Sequence, residues 1–241
     1  MLRALLVVVC LWSGATRAET IVPLTVGGHV IRVAVDDRYV RSSEKQPSMF
    51  AVSSAAMPPT NRLVEQFVTA ADAKRMLLGQ PIADDYLQVQ SLRDAEGTDI
   101  TAADWASVRP TMVRQLGGMD MDKLAKPMQS GMDKRMSESS GADVAMTFGK
   151  LGKPTIYGNQ PESVRFVMLL PITATINGQA RQVQLECAGA ITVLNKRLVY
   201  IYNYRTLRPE DKNMLAVRAA LDHFVDRAEA LNAAVAAKST R

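Results

Sequence analysis

The chain is poor in the residues on which most enzymes and metal proteins depend. Its 241 residues include two cysteines and two histidines. They contain no Gly-x-Ser-x-Gly elbow, no His-Glu-x-x-His, no Gly-x-x-x-x-Gly-Lys-Ser/Thr loop and no Cys-x-x-Cys, so the local signatures of serine hydrolases, zinc proteases, P-loop proteins and thiol oxidoreductases are missing. We therefore predict no catalytic residue, no metal and no cofactor. A hydrolase with an active site assembled from distant Ser, Asp and Glu residues stays open as the alternative.

The two histidines do not stand beside a nucleophile in the sequence. His29 follows Gly27-Gly28, and His223 lies close to Asp222 and Asp226. We expect both to be surface residues with hydrogen-bond or ion-pair partners, which for His223 could be the neighbouring Asp222 and Asp226.

The chain also lacks an apolar run long enough to cross a membrane as a helix. The stretch from Ala4 to Trp12 has about 9 residues, whereas a spanning helix needs about 20. It follows a basic residue and precedes small and polar residues that end at Ala18, which is the pattern of a cleavable secretory signal peptide. We predict a signal peptide over residues 1–18, a single domain over residues 19–241, and a periplasmic or secreted protein without a transmembrane anchor.

The excess of basic over acidic residues is small. The formal net charge is +5, and removal of the predicted signal peptide, with two arginines and no acid, lowers it to about +3. The basic residues are scattered and are not interleaved with aromatic side chains, unlike the patches with which proteins bind nucleic acids. We therefore expect no nucleic-acid partner.

Cysteine is too scarce for an intramolecular disulfide in the mature chain. Cys10 lies within the apolar run of the signal peptide, and Val9 before it is bulkier than the residue that lipidation sites prefer, so we do not predict a lipoprotein. Cys187 is then the only cysteine. It alternates with Val183 and Leu185 on one face of a predicted strand, and we expect a buried free thiol.

The clearest structural signal is a run of β-prone segments over about 164–204. Asn177-Gly178 is the dipeptide that two-residue hairpins favour, and Asn195-Lys196 marks a second tight turn. These turns predict a three-strand antiparallel meander. Near the mature N-terminus, Gly27-Gly28 separates two apolar segments and predicts a further hairpin.

Helices are predicted over about 101–116, 120–138 and 209–236. Thr101 and Asp104 have the spacing of a capping box, Pro110 predicts a kink or break, and the last segment has apolar residues every three or four positions. A short strand is predicted over 49–55. The fold class is therefore α+β, with a central antiparallel sheet between helices in an α/β/α sandwich-like arrangement.

The last strand and helix carry a more specific pattern. The segment from Asn195 to Tyr204 reads NKRLVYIYNY and leads into Pro209-Glu210-Asp211. With the helix that follows, residues 195–236 resemble exported bacterial proteins of the Mog1/PsbP-like fold group, in which a turn and an alternating aliphatic and tyrosine strand lead into the final helix. The resemblance implies an antiparallel sheet between helices and a non-enzymatic accessory or binding role. It carries no catalytic motif.

Methionine is unusually dense in the central region. Met128, Met132 and Met136 recur at helical spacing, which is typical of a core face and also of an adaptable binding surface. Met119 and Met121 have the Met-x-Met spacing of soft-metal sites, and thioethers bind Cu(I). Because no histidine or cysteine stands near them in the sequence, we predict no metal and keep a Cu(I) carrier as a third hypothesis.

Tyr200, Tyr202 and Tyr204 share one face of the last predicted strand. Such a ladder serves as a binding platform in some proteins and as a half-buried sheet face under a helix in others. Together with the three methionines of the helical stripe, these tyrosines are our candidate partner surface, for an unknown protein or a small apolar ligand. The sequence leaves the oligomeric state open and predicts an exported binding or accessory protein of the bacterial envelope.

Overall fold

The computed structural model of the protein describes residues 18–78, 83–121, 123, 129, 131–211 and 214–239. Apart from Ala18, the predicted signal peptide lies outside these residues, and so does Cys10. The strands described are β1 (Glu19–Val26), β2 (His29–Asp36), β3 (Tyr39–Arg41), β4 (Asn61–Thr69), β5 (Asp85–Leu92), β6 (Val144–Phe148), β7 (Thr155–Asn159), β8 (Ser163–Ile176), β9 (Gln179–Leu194) and β10 (Arg197–Thr206). The α-helices described are α1 (Ser42–Lys45), α2 (Pro47–Ala56), α3 (Ala70–Leu77), α4 (Ala102–Gly118), α5 (Met132–Ser140) and α6 (Leu215–Ser239).

The centre of the described chain is an eight-stranded antiparallel sheet. Its strands follow the order β3-β4-β5-β10-β9-β8-β6, and β7 also pairs with β8. The predicted meander is confirmed as β8, β9 and β10, which pair without a register shift. Asn177, Gly178, Asn195 and Lys196 all have positive φ, as the two-residue turns of such hairpins require.

The predicted N-terminal hairpin is also present, as a separate two-stranded sheet of β1 and β2. Its turn residue Gly27 has φ +50°, and a Cβ there would lie 1.6 Å from the carbonyl oxygen of Glu96. A side chain is therefore excluded at this position by both conformation and space.

One face of the large sheet is covered by the hairpin and α6. Asn232 of α6 accepts a hydrogen bond from the backbone N–H of Arg32 at 3.0 Å and donates one to the Arg32 carbonyl at 2.8 Å, so it joins the helix to β2. The buried side chains between these layers form one continuous core: Val22, Leu24, Val26, Ile31, Val33, Val35, Tyr39, Phe67, Leu87, Val89, Val167, Ala188, Ala190, Leu194, Val199, Ile201, Val217, Leu221, Phe224, Val225 and Ala228.

The opposite face of the sheet lies beneath α2, α4 and α5. The predicted capping box begins α4, because the Thr101 hydroxyl accepts from the Asp104 N–H at 3.2 Å and the Asp104 carboxylate accepts from the Thr101 N–H at 2.9 Å. The helix continues through Pro110 to Gly118, so of the predicted kink or break at Pro110 the break is excluded. With helices on both faces, the α/β/α arrangement is confirmed.

Two predicted elements need correction. The predicted strand over 49–55 is the helix α2, which begins with Pro47 at its first position, where the fixed φ of proline suits a helix. The predicted helix over 120–138 does not run through, since Gly131 has φ +71° and a separate helix, α5, begins at Met132. Residues 122, 124–128 and 130 of that prediction lie outside the described residues.

The C-terminal helix begins later than the predicted residue 209. Asp211 donates its N–H to the Arg208 carbonyl at 3.0 Å in a turn, and Met214 has φ +55°, so helical backbone starts at Leu215. None of the described helices is long and apolar enough to cross a membrane.

Candidate functional site

A cavity of about 720 Å³ lies between the sheet and the helices α2, α4 and α5. Its floor is the sheet face formed by β4, β5, β10, β9, β8 and β6, and its cover comes from the three helices and the segment after α4. Thr60 and Gln115 line the cavity and are exposed, so they mark where it opens to solvent.

Methionine is the main component of the lining. The chain has 13 methionines, and ten of those that the structure describes line this cavity: Met49, Met57, Met76, Met112, Met119, Met121, Met132, Met136, Met146 and Met168. They come from both the helices and the strands. Because the methionine side chain is unbranched and flexible, such a lining can adapt to ligands of different shape.

The predicted tyrosine ladder forms the middle of the floor. Tyr200, Tyr202 and Tyr204 all line the cavity, and Tyr204 stacks on Tyr86 of the neighbouring strand with ring centroids 4.7 Å apart. Burial raises the pKa of Tyr202 and of Tyr204, so both phenols are neutral at physiological pH. The ladder is therefore half-buried beneath helices rather than an exposed platform.

One aromatic ring on the floor depends on a glycine. Phe166 of β8 lies edge-on to Tyr202, with centroids 6.2 Å apart. Its ring occupies the space over Gly189, where a Cβ would stand 2.3 Å from the Cζ atom of Phe166. The absence of a side chain at residue 189 thus lets the ring pack directly against the backbone of β9.

Beside the tyrosines, a chain of amides crosses the floor. The Asn61 amide donates to the Gln90 oxygen at 3.2 Å, Gln90 donates to Gln88 at 2.9 Å, and Gln88 donates to Gln66 at 3.0 Å. The three glutamines are each at most 5% exposed. These residues form what we call the amide ladder, which runs from the cavity mouth beside Thr60 toward the interior.

No charged side chain lines the cavity among the residues that the structure describes. The polar groups there are amides, hydroxyls and one thiol. Cys187, directly across from Met168 on β8, is 1% exposed and free. Burial raises the pKa of its thiol, so little of the reactive thiolate forms.

The structure brings most of the candidate residues named from the sequence into this one cavity. The tyrosines lie on its floor, and Met132 and Met136 are buried at its helical side. Met119 and Met121, the weak metal candidates, also line it, while Met128 lies outside the described residues. Among the described residues, no three His, Cys, Asp or Glu side chains gather as a metal site.

The amide ladder is the functional feature that sequence reasoning missed. Gln88 and Gln90 are separated by the apolar Val89, so their amides share one strand face. Two glutamines on the interior face of a strand were the available signal, because buried polar side chains need partners.

Both histidines lie away from the cavity. His29 Nδ1 is 3.1 Å from the Asn195 carbonyl oxygen, and His223 Nε2 is 2.8 Å from a Glu19 carboxylate oxygen. The expected pairing of His223 with Asp222 and Asp226 is therefore wrong. Those carboxylates instead accept hydrogen bonds from an arginine of β8.

No protein-family profile and no curated protein matches the chain. Among solved structures, the Ran-binding protein Mog1p of Saccharomyces cerevisiae is similar over 88% of this chain and 95% of that chain, with 12% identity and a TM-score of 0.35. A mutant of the protein Mog1 is similar over 87% of this chain and 92% of that chain, with 12% identity and a TM-score of 0.33. These values describe a loose likeness of the backbone, from which no activity or partner follows.

Proposed function

We propose that the protein is an exported, non-enzymatic binding protein of the bacterial envelope that holds a small apolar molecule in the cavity. The observation that carries this proposal is the cavity of about 720 Å³ lined by ten methionines and a tyrosine ladder. Small-molecule sites are concave, mostly apolar and about 300–1,000 Å³ in volume. The size and chemistry of the cavity both fall in this class.

The energetics also favour an apolar occupant. Transfer of apolar surface out of water contributes about 25 cal/mol per Å². A molecule that buries about 300 Å² gains about 7 kcal/mol before the cost of association is subtracted. We therefore expect dissociation constants in the micromolar range or weaker.

The location is part of the proposal. The signal-peptide pattern of residues 1–18 supports export, and an envelope protein with an apolar cavity can carry molecules that dissolve poorly in water. Expression of the full chain in a bacterium, followed by fractionation and mass measurement, tests this part. A periplasmic product that begins near Glu19 supports export, and a cytoplasmic product of full mass argues against it.

Titration of residues 19–241 with the fluorescent apolar probe N-phenyl-1-naphthylamine tests the binding function. We expect a saturable rise in fluorescence with one site per chain. Leu170→Trp fills part of the cavity and should weaken probe binding about tenfold. Leu169→Trp is the matched control, because residue 169 belongs to the opposite face of the same strand. Absence of saturable binding, or equal loss in both variants, would contradict the proposal.

Two other hypotheses have observations of their own. Ser53 lines the cavity, so a hydrolase with a dispersed site is tested with a panel of chromogenic esters, and turnover that Ser53→Ala abolishes would favour it.

Met119, Met121 and Cys187 line the same cavity, so a Cu(I) carrier is tested by Cu(I) titration against a competing chelator under reducing conditions. A protein partner is tested by affinity capture from the envelope.

A further inference from the structure

We infer that the ligand is an uncharged amphiphile whose apolar body lies on the methionines and tyrosines and whose oxygen atom accepts hydrogen bonds from the amide ladder. The inference rests on the proposed function, since it names the class of molecule that the cavity binds. Three observations carry it: the lack of charge in the described lining, the unused donors of the ladder, and the burial of the glutamines.

The lining selects against a charged group. Burying a carboxylate or an ammonium without a partner is far more costly than burying a neutral polar group. The residues described around the cavity offer neither an arginine or lysine to pair with an anion nor an aspartate or glutamate to pair with a cation. A fatty acid anion or a cationic amphiphile would have to leave its charged group at the exposed mouth, beside Thr60.

Some N–H groups of the amide ladder have no acceptor within the ladder. Each side-chain amide nitrogen carries two N–H groups, and Gln88 and Gln90 each use one of theirs within the ladder. Gln66 accepts from Gln88 through its oxygen, and its Nε2 makes no hydrogen bond to another described residue. The ladder therefore ends in a free amide nitrogen, which faces the cavity because Gln66 lines it and is otherwise buried.

A wholly apolar molecule would leave these donors without partners. When a ligand displaces water from a buried donor, the donor must find a new acceptor or the complex loses the desolvation free energy of that group. A hydroxyl, carbonyl, ester or ether oxygen supplies the acceptor and carries no charge. This combination defines long-chain alcohols, acylglycerols, quinones and related neutral amphiphiles as the ligand class.

Competition with the naphthylamine probe tests this inference with molecules of equal chain length. The competitors are 1-decanol, decanoate and decyltrimethylammonium at about pH 8, where the carboxylate is ionised. We expect decanol to displace the probe at a concentration at least about tenfold lower than either charged competitor. Equal potency of decanoate would overturn the inference.

Variants of the ladder provide the second arm. Gln66→Leu combined with Gln88→Leu removes the inner donors and keeps side-chain size, so we expect decanol affinity to fall about fivefold to tenfold relative to the affinity for the probe, measured on the same variant. Gln182→Leu is the matched control, because Gln182 is exposed on β9. Unchanged decanol affinity in a folded double variant would overturn the ladder's role.

The results separate this inference from the proposed function. If the probe binds but decanol has no advantage, the cavity binds apolar molecules and the neutral-amphiphile class is wrong. If neither the probe nor any competitor binds to the folded protein, both proposals fail. If circular dichroism shows that the double variant does not fold, the selectivity series on the unmodified protein decides the inference alone.

Discussion

Gly189 sets the position of the Phe166 ring on the cavity floor. A Cβ at residue 189 would stand within 3 Å of three atoms of that ring, and such contacts are removed only by displacing the ring toward the cavity. We expect Gly189→Ala to lower the free energy of unfolding by about 1–3 kcal/mol and to weaken probe binding. Urea unfolding and probe titration measure the two effects.

Gly152→Ala is the control for this prediction. A Cβ at Gly152 has no heavy atom within 4 Å, and its φ is not in the left-handed region. Its unfolding free energy and probe affinity should match those of the unmodified protein. If Gly189→Ala behaves in the same way as the control, the ring is not confined as described.

Glu186 is a buried acid on the face of β9 away from the cavity. Neither of its carboxylate oxygens accepts a hydrogen bond from an N–H or hydroxyl group of the described residues. Burial, together with the nearby Asp211 carboxylate, raises its pKa from 4.5 to about 6. Between these two values the unfolded chain is ionised while the folded protein still holds the proton.

The sign of the resulting pH dependence follows from linkage. A raised pKa in the folded state stabilises the fold below about pH 4.5, and this stabilisation is lost as the pH rises through about 6. Glu186→Gln cannot ionise, so its unfolding free energy should exceed that of the unmodified protein by about 2 kcal/mol at neutral pH and match it at about pH 4.

Chemical unfolding across this pH range checks the prediction. Glu138→Gln is the control for the loss of one carboxylate, because Glu138 is exposed on α5, and the Glu186→Gln difference is compared with it at each pH. A Glu186→Gln difference that does not change with pH would show that folding does not raise the pKa of Glu186.

At the scale of elements, one arginine of the sheet forms ion pairs with several carboxylates of α6. Arg165 of β8 is 7% exposed and donates to Asp222 at 3.0 Å and to Asp226 at 2.5 Å. Glu229 lies 3.7 Å from the same guanidinium. Without the cation, three carboxylates on one helix face would repel each other next to an apolar core.

We therefore expect Arg165→Met to lower the free energy of unfolding by about 2–4 kcal/mol, somewhat less than for a fully buried ion pair because Asp222 and Asp226 are partly exposed. Arg114→Met is the control, since Arg114 is exposed and its only hydrogen bond to a described residue is to Thr111 of its own helix. Its effect should be below about 0.5 kcal/mol. Equal stability of the two variants would mean that packing alone holds α6.

The elements that the sequence predicts well are those with local signals. Asn177, Gly178 and Asn195 are residue types that adopt positive φ at low cost, so the two turns of the meander could be predicted from the local sequence. The segment over 49–55 has no such signal inside it. Its helical state depends on Pro47 before it and on packing against α5, which lies about eighty residues further along the sequence.

The sequence predicted some of the residues that line the cavity but not the cavity itself. Alternation placed Tyr200, Tyr202 and Tyr204 on one strand face, and helical spacing placed Met132 and Met136 on one helix face. Periodicity identifies a face but does not tell which faces meet across a fold. The amide ladder joins β4 and β5 through side-chain contacts, and that pairing depends on a register shift between Leu63 and Glu65, which no local pattern predicts.

At the scale of the whole molecule, the two faces of the sheet have different roles. The face beneath the hairpin and α6 holds most of the largest fully buried side chains, including Phe67, Ile31 and Leu221, and so provides most of the apolar stabilisation. The other face encloses the cavity. Adaptable methionines there can rearrange around a ligand without disturbing the core on the opposite side.

The location of the ligand-binding site can be tested directly, because the chain has methionines on both faces of the sheet. Their methyl signals show which face a ligand contacts. Met214 packs against the core beneath α6, whereas ten other methionines line the cavity. Carbon-13 labelling of the methionine methyl groups lets nuclear magnetic resonance follow both during titration of residues 19–241 with 1-decanol. Met214→Leu identifies the control signal.

We expect several cavity methionine signals to shift progressively and to saturate together, while the Met214 signal stays in place. Shifts confined to Met214, or no shift in any methionine signal at saturating decanol, would contradict the assignment of this cavity as the ligand-binding site.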